Sequence, residues 1–314
     1  MTMFIGVDIA SKSFDVVDSN GNHLIVNNDE KAIKKWLKTL KKPTCIAMEA
    51  TGKYYQLLAN LAHKQGIKVF VLNPRTIHHY AKGVGRRAKT DKADAAVIMR
   101  YLRKECDEQH EWHPPTKSQL LIDDFLRRRA KLVSKRQAIR LTCQSIAGFS
   151  EQLEPALKAL DKLIDELEKL AIKEINKNAE LKVRMLCLKS IPGIGQITAA
   201  HLTNLFDKHH FDCADQLTSY AGMDLVCADS GQKKSRRKLS KHGPSEIRRL
   251  LFNCARAASS GKLKALYESF IGRMNHTKAI VAMMRKILKL AYGVWKSEQR
   301  FDMNKFNSPL LQNA

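Results

Sequence analysis

Four acidic side chains in the first third of the chain have the types and spacing of a metal-dependent phosphodiester site. Asp8 ends the strand-like run GVDIA, and Glu49 holds the corresponding place in IAMEA. Asp91 and Asp94 are three residues apart, so a helix would present both on one face. Four converging carboxylates repel one another unless divalent cations neutralise them, and hard oxygen ligands suit Mg²⁺ or Mn²⁺. Two such ions about 3.5–4 Å apart can activate the attacking oxygen and stabilise the leaving one.

Basic residues accompany these acids. Their charges suit the phosphates of a nucleic-acid backbone, so we predict that they contact the substrate. They are Lys53, Arg86, Arg87, Lys89 and Lys92.

The elements that must position the acids form an alternating pattern. Three antiparallel strands are predicted from Phe4 onward, with a hairpin turn at Asn20-Gly21. Helices are predicted at 31–40 and 54–65, strands at 44–50 and 68–73, and a helix capped by Thr90 and running to about Lys104. The order βββαβαβα is the skeleton of the ribonuclease H-like fold. The sheet's carboxyl edge would then hold Asp8 and Glu49, where open α/β sheets place their ligands.

Long amphipathic helices are predicted between Lys117 and Met185. Leucines and isoleucines recur there at three- and four-residue spacing among mixed charges, as in LEPALKALDKLIDELEKLAIKEI. This pattern predicts a helical hairpin or coiled coil whose apolar stripe is a packing or dimerisation seam.

A tight turn at Pro192–Gly195 separates two further predicted helices and resembles a helix-hairpin-helix element. Backbone N–H groups at Gly193 and Gly195 could hold a phosphate there. A purely structural corner explains the turn about as well.

A strongly basic segment follows between Gly231 and Arg249. Such charge density favours phosphate contacts, with Glu246 as the only acid. The bases are Lys233, Lys234, Arg236, Arg237, Lys238, Lys241, Arg248 and Arg249. We expect Ser245 to cap a helix running to about Ser259, a last helix at 277–296, and a frayed tail beyond Phe301.

Composition sets the broad class. The chain has 314 residues, 44% hydrophobic and 27% charged, which excludes a disulfide mini-protein and a disordered chain. Its 55 Lys and Arg against 31 Asp and Glu give a net charge of +24, of which +14 lies in residues 181–314. This excess favours a polyanionic partner.

Location and cysteine chemistry follow from further features of the chain. The seven cysteines are scattered without a metal-binding spacing, so we expect reduced thiols. No apolar run is long enough for a membrane span and no export signal is visible. We therefore expect a cytoplasmic protein that is associated with the nucleoid.

Several motifs in order resemble one family. GVDIASKSFDVV, MEATGKYY, GRRAKTDKADA, IPGIGQITAAHL and LTSYAGMDLVCADSG are similar to insertion-sequence transposases with an N-terminal DEDD, RuvC-like domain and a C-terminal serine domain. The Piv-type DNA invertases belong to the same group. The resemblance covers about residues 3–105 and 185–260. It implies a RuvC-like domain at 1–110, a helical linker at 111–184, a transposase domain at 185–300 and a tail at 301–314.

The resemblance also implies roles for particular residues and partners. Asp8, Glu49, Asp91 and Asp94 would bind the divalent metal. Ser230, in the Ser-Gly step that follows Tyr220-Ala221-Gly222, would attack DNA and form a covalent phosphoserine, with Ser235 and Ser240 as nearby competitors. The family's double-stranded DNA substrate, structured bridge RNA and dimers assembling to tetramers would be the partners.

Three alternatives remain open at this point. A RuvC-like nuclease would use metal-activated water and leave no protein–DNA adduct. A non-catalytic DNA- or RNA-binding scaffold would retain the basic surface alone. A site-specific invertase would use the same chemistry on a different DNA partner.

Overall fold

The computed structural model describes residues 2–41, 43–50, 52–85, 90–146, 148–226 and 238–306. Within them the chain divides into two compact units, Met1–Pro115 and Thr116–Ala314. The finer division into domains at 110, 184 and 300 stays a prediction. Among the described residues, no helix combines the length and the apolar character needed to cross a membrane.

The first unit is built on a five-stranded mixed sheet with the order β3-β2-β1-β4-β5. The strands are β1 (Met3–Ile9), β2 (Ser13–Asp18), β3 (His23–Asn27), β4 (Thr44–Glu49) and β5 (Lys68–Leu72). β1 pairs antiparallel with β2 and parallel with β4, and β4 pairs parallel with β5. The three antiparallel strands predicted from the hairpin are confirmed, and the sheet is consistent with a ribonuclease H-like skeleton.

Helices cover both faces of this sheet. They are α1 (Glu30–Leu37), α2 (Tyr55–Lys64), α3 (Pro74–Gly83) and α4 (Asp91–Glu105). One core packs α1 and α2 on one face, and a second core packs α3 and α4 on the other. The helix predicted to reach Leu40 ends at Leu37, because the Trp36 carbonyl accepts from both the amide and the hydroxyl of Thr39 in a tight turn.

The second unit is mainly helical around one core. Its helices are α5 (Lys117–Cys143), α6 (Ser150–Asn176), α7 (Ala179–Lys189), α8 (Gln196–Lys208), α9 (Ala214–Tyr220), α10 (Ser245–Ser259), α11 (Lys264–Ile271), α12 (His276–Ser297) and α13 (Met303–Phe306), with a short hairpin of β6 (Leu225–Val226) and β7 (Lys238–Leu239). The predicted helical pair is confirmed in α5 and α6, where the Arg129 guanidinium pairs with the Glu168 carboxylate at 3.1 Å.

Two details of the second unit correct the expectations. Ser245 is the first residue of α10 and does not cap it, since Pro244 occupies the cap position and no side chain caps the helix. The chain beyond Phe301 does not fray at once, because α13 buries Phe306, whose ring lies 5.6 Å from that of Phe301.

The described cysteines are free thiols, as expected. Cys227 lies outside the described residues.

Candidate active site and nucleic-acid interface

The pleat of the sheet decides which face carries the acids. Ile5, Val7 and Ile9 of β1 pack into the core with α1 and α2. Successive side chains of a strand point to opposite faces, so Gly6 and Asp8 face α4. The same alternation in β4 puts Glu49 on the face of Ala47, which packs in the core with α3 and α4.

Gly6 allows α4 to approach this face closely. A Cβ at Gly6 would lie 2.1 Å from the Ala95 carbonyl oxygen and 2.3 Å from the Met99 amide nitrogen. Both are backbone atoms of α4, so a side chain here would push the helix off the sheet. The absence of a side chain two residues before Asp8 therefore sets the distance between Asp8 and the first turn of α4.

The first turn of α4 brings Asp91 and Asp94 to Asp8. Thr90 caps the helix as predicted, its hydroxyl accepting from the Ala93 amide at 3.3 Å. One carboxylate oxygen each of Asp8, Asp91 and Asp94 lies within 4.8 Å of the others. Asp91 is exposed, and the other two are half-buried.

Glu49 lies on the neighbouring strand rather than in this group of three. Val7 and Met48 are register partners on parallel strands, and Asp8 and Glu49 each follow next in sequence. The Glu49 side chain thus reaches the same sheet edge and face. The arrangement places three of the four predicted acids together and the fourth beside them.

These residues fit a divalent metal. Three carboxylate oxygens within 4.8 Å make a concentrated negative charge, and an all-oxygen donor set is the one that Mg²⁺ and Mn²⁺ prefer. The first turn of α4 adds the positive end of its dipole, which favours the anionic side chains of Asp91 and Asp94.

Two polar residues at this edge escaped the sequence reasoning. Asp15 is the register partner of Asp8 on β2, and its Oδ1 lies 2.6 Å from His23 Nε2 in a hydrogen bond. Asn28 donates from Nδ2 to the carbonyls of Ala10 (2.9 Å) and Tyr54 (3.2 Å), which ties together the loops that follow β1 and β4. The Asn20-Gly21 turn sets only the register of β2 with β3, so no local signal marked the pairing of Asp15 with Asp8, and none marked Asn28.

Of the basic residues predicted beside the acids, Lys53 and Lys92 are described, and both are exposed. Lys53 stands in the turn before α2, and Lys92 lies in the first turn of α4. Arg86, Arg87 and Lys89 lie outside the described residues.

In the second unit, Ser230 also lies outside the described residues, with Ser235, Lys233, Lys234, Arg236 and Arg237. The β6–β7 hairpin holds the two ends of that segment. Next to β7, the Ser240 hydroxyl donates to the Asp224 carboxylate and accepts from the His242 amide at 3.4 Å. Ser240 therefore serves as a turn residue in this arrangement.

Two glycines and an arginine fix the base of the hairpin. Gly222 has a φ of +65°, and a Cβ at Gly243 would lie 1.9 Å from the Tyr220 carbonyl oxygen. Arg248, predicted to contact phosphate, donates from Nη1 to the carbonyls of Ala221 (3.0 Å) and Gly243 (2.7 Å). The half-buried Arg248 thus holds the hairpin's two flanks together.

The remaining predicted basic residues are placed differently. Lys238 and Lys241 are exposed beside the hairpin, and exposed Arg249 pairs with Glu246 at 2.6 Å. At the Pro192–Gly195 turn, a Cβ at Gly193 would lie 2.4 Å from the Cys254 carbonyl oxygen, whereas Gly195 has open space around it. Gly193 therefore packs against α10, and Gly195 is the N-cap residue of α8, with a backbone hydrogen bond to the Cys254 thiol.

A groove of about 1040 Å³ opens between α5, α8 and the start of α10. Its lining carries an excess of positive charge, with Asp123 and Glu246 as the acids. The basic residues on it are Arg127, Lys131, Arg136, Lys208 and Arg249. Four of them pair with acids: Arg127 with Asp124, Arg136 with Asp161, Lys208 with Asp123 and Arg249 with Glu246. A nucleic-acid backbone bound in the groove would compete with these carboxylates for the bases.

Two histidines that line this groove are held neutral. Burial lowers the pKa of His201 to about 4, and its Nε2 is buried without a hydrogen-bond partner among the described residues. Burial likewise lowers the pKa of His209 to about 4, and its Nε2 lies 3.1 Å from the Tyr220 hydroxyl. Burial raises the pKa of Tyr220 itself to about 12.

Because these histidines are neutral in the folded protein, we expect the free energy of unfolding to fall in mild acid. Between pH 6.5 and 4 the unfolded chain takes up protons at His201 and His209 that the folded protein does not bind, so stability present above pH 6.5 is lost as the pH falls. Each histidine should reduce the free energy of unfolding by about 2 kcal/mol between pH 7 and pH 5. Urea denaturation of the wild type and of His201→Gln at both pH values measures this, since glutamine does not titrate.

His276→Gln, which changes an exposed histidine at the start of α12, is the control. Its comparison with His201→Gln separates the effect of the buried ring from the general effect of replacing a histidine with glutamine. Equal pH dependence of His201→Gln and the wild type would contradict the assignment.

Comparisons with known proteins agree with this geometry. Residues 5–149 match the transposase family DEDD_Tnp_IS110, and residues 185–268 match the family described as Transposase IS116/IS110/IS902. The pilin gene-inverting protein of Moraxella lacunata is 32% identical over 95% of this chain and 97% of its own length. The transposase for insertion sequence element IS1111A of Coxiella burnetii is 23% identical over 95% of this chain and 90% of its own. The transposase for insertion sequence element IS1328 of Yersinia enterocolitica is 24% identical over 92% of this chain and 96% of its own length.

The matched residues include all four acids and the segment with the serine. Three observations agree on one assignment. The first is the group of carboxylates at the sheet edge, and the second is the strong positive charge of the second unit. The third is the similarity, over nearly the whole chain, to proteins named for DNA inversion and for transposition. The chain belongs to the IS110 family of transposases and DNA invertases and is a DNA recombination enzyme.

Proposed function

We propose that this protein cuts and rejoins double-stranded DNA to insert or excise a mobile element, with a structured bridge RNA as guide. Asp8, Glu49, Asp91 and Asp94 hold a divalent cation, Mg²⁺ or Mn²⁺, and Ser230 is the nucleophile. The observation that carries the proposal is the close approach of the Asp8, Asp91 and Asp94 carboxylates at the sheet edge. When bound there, the cation would offset charge that develops on the phosphate.

The serine chemistry conserves the energy of the DNA backbone bond. The Ser230 hydroxyl oxygen would bond to phosphorus as one P–O bond to the sugar breaks, which leaves a phosphoserine and a free sugar hydroxyl. The serine proton leaves, and the departing sugar oxygen takes up a proton. The reverse attack by a sugar hydroxyl releases the serine and rejoins the strand.

The surfaces of the protein support nucleic-acid partners. The net charge is +24, and five lysine and arginine side chains line the groove of the second unit, against two acids. Where base pairing of an RNA guide supplies specificity, a protein binds duplex shape and backbone rather than base edges. Lysine and arginine side chains on the surface suit a protein that binds the nucleic-acid backbone while the RNA guide pairs with the bases.

Self-association through the long helices is part of the proposal. Leu163 and Leu170 on α6 are exposed large apolar side chains seven residues apart, and therefore lie on one face of the helix. Burying them against a second copy would complete the apolar seam predicted from the sequence. We propose dimers that assemble into tetramers.

A denaturing gel tests the serine step. Purified protein with its co-purifying RNA, Mg²⁺ and end-labelled DNA that spans the element junction is run with and without protease. The wild type should give a labelled band at protein size that collapses on proteolysis, and Ser230→Ala should give none. Ser235→Ala and Ser240→Ala, which remove neighbouring hydroxyls, should retain the band.

Cleaved DNA without any adduct would contradict the proposal and identify a metal-dependent nuclease. An adduct that disappears in Ser240→Ala would move the nucleophile to the turn beside Asp224. RNA binding without cleavage in the wild type would indicate a scaffold.

Inversion is the second candidate outcome of the same chemistry. The relative at 32% identity is named for inverting a pilin gene and spans nearly the same length. A substrate with two inverted junctions on one circular DNA separates the outcomes, because inversion retains the circle's length and insertion joins two molecules.

A further inference from the structure

A second cluster of metal-ligand side chains lies in the first unit. It contains His63 from the last turn of α2 and Glu111 and His113 from the segment that follows α4. One ligand atom from each residue lies within 4.8 Å of the other two. His63 and Glu111 are half-buried, and His113 is exposed.

Contacts around the cluster hold it in place. The Trp112 amide donates to the Val69 carbonyl at 2.7 Å, which fixes the segment to β5. The Trp112 ring meets the rings of Tyr55 and His63 edge-on, at 6.5 and 6.3 Å. The His63 and His113 rings lie 5.4 Å apart, nearly perpendicular. The donors thus come from two segments that are already packed together.

The cluster is separate from the carboxylates at the sheet edge. Glu49 is the register partner of Leu72, at the carboxyl end of β5, whereas Trp112 bonds to Val69 near its amino end. Three residues of strand span about 10 Å, so the two clusters lie toward opposite ends of the parallel strands.

We propose that His63, Glu111 and His113 bind a transition-metal ion, with Zn²⁺ as the expected species. Two imidazoles and one carboxylate are a donor set of zinc sites, unlike the all-carboxylate set that suits Mg²⁺. Ligand atoms at about 2.0–2.2 Å from one tetrahedral ion lie about 3.3–3.6 Å apart, so the three donor atoms must draw closer together on binding. The exposed His113 side chain can make that adjustment. The bound ion would fasten the last residues of the first unit, up to Pro115, to α2.

The donor atoms are available for such an ion. Within the described part of the chain, none of the three side chains forms a hydrogen bond or ion pair with another residue. Their contacts are the ring packing of the two histidines, which leaves the nitrogen and oxygen lone pairs uncommitted.

Zinc titration of the full-length, tag-free protein tests the proposal. The protein is stripped with a chelator and kept in excess Mg²⁺ so that the carboxylates at the sheet edge are saturated. Zn²⁺ is then titrated against a chromophoric chelator, and Co²⁺ is added separately to record its visible spectrum. The wild type should bind one Zn²⁺ per chain tightly, and its melting temperature should rise on binding.

Variants of the three residues should lose this binding. His113→Gln changes an exposed residue, so the fold should survive. We expect Zn²⁺ affinity to fall by at least roughly 100-fold, since even loss of an outer partner of a ligand costs about 10–100-fold. Glu111→Gln is the second variant. The controls are His79→Gln, which changes a histidine whose ring lies 5.9 Å from that of His78, and Asp8→Asn, which alters the other cluster. Both should bind Zn²⁺ as the wild type does.

Two results would overturn the proposal. One is Zn²⁺ binding that is equal in the wild type, His113→Gln and Glu111→Gln, which would assign the metal to thiols or other surface groups. The other is binding that disappears in Asp8→Asn alone. A Co²⁺ spectrum with thiolate charge-transfer bands that is unchanged in His113→Gln would also count against it.

Discussion

Asp94→Asn should abolish strand cleavage while the fold and nucleic-acid binding persist. The substitution keeps the shape of the side chain but removes one of three carboxylate charges that lie within 4.8 Å. We expect the cleavage rate to fall on the order of 10³-fold, the scale of losing a group that offsets charge developing in the transition state. End-labelled junction DNA with Mg²⁺ measures the rate, and a filter-binding assay measures RNA affinity, which should be nearly unchanged.

Thermal unfolding gives this prediction an independent readout. Mg²⁺ should raise the melting temperature of the wild type because it binds the folded carboxylates, and the rise should disappear in Asp94→Asn. Without Mg²⁺, the variant should still fold, since relief of like-charge repulsion offsets part of the lost interaction with the helix dipole.

Asp107→Asn is the matched control, because Asp107 is an exposed acid of the same unit outside the group of three. It should cleave at the wild-type rate and retain the Mg²⁺ response. Cleavage by Asp94→Asn at the wild-type rate would remove the carboxylates from the reaction. Joint loss of cleavage and RNA binding would instead make Asp94 a structural residue.

Periodicity was sufficient to predict most of the first unit. Alternating apolar and polar residues predicted the strands around the Asn20-Gly21 turn. Thr90 marked the start of α4, because a hydroxyl just before a helix can accept a hydrogen bond from a backbone amide of the first turn that has no partner within the helix. These signals are local. They identified Asp8 and Glu49 as strand-end residues, and the parallel pairing of β1 with β4 then brought both to one edge.

The features that escaped prediction depend on contacts between distant segments. Arg248 looked like a phosphate ligand because it lies among other bases, yet its guanidinium donates to the Ala221 carbonyl 27 residues away. His63 and Glu111 are 48 positions apart and show no recognisable metal-ligand spacing. Phe306 packs against Phe301, in the first residues of the stretch that was expected to fray. A single sequence gives no signal for such tertiary partners.

Gly6→Ala should disable cleavage without changing any acid. The added methyl group would lie 2.1 Å from the Ala95 carbonyl oxygen and 2.3 Å from the Met99 amide nitrogen, so α4 must move away from β1. A displacement of about 1 Å at a reacting centre costs on the order of 10²-fold in rate. Forcing the helix outward should also cost about 1–3 kcal/mol of stability. The same cleavage assay and urea denaturation measure both quantities.

Gly83→Ala is the matched control in the same unit. Gly83 ends α3, and a Cβ there meets no atom within 4 Å. Alanine should therefore leave cleavage unchanged and stabilise the protein slightly, because it lowers the entropy of the unfolded chain. Wild-type cleavage by Gly6→Ala would mean that the Asp8-to-α4 spacing does not limit the reaction. High Mg²⁺ should partly restore cleavage by Gly6→Ala if the carboxylates have moved apart. Their weakened affinity for the metal can then be offset by a higher Mg²⁺ concentration.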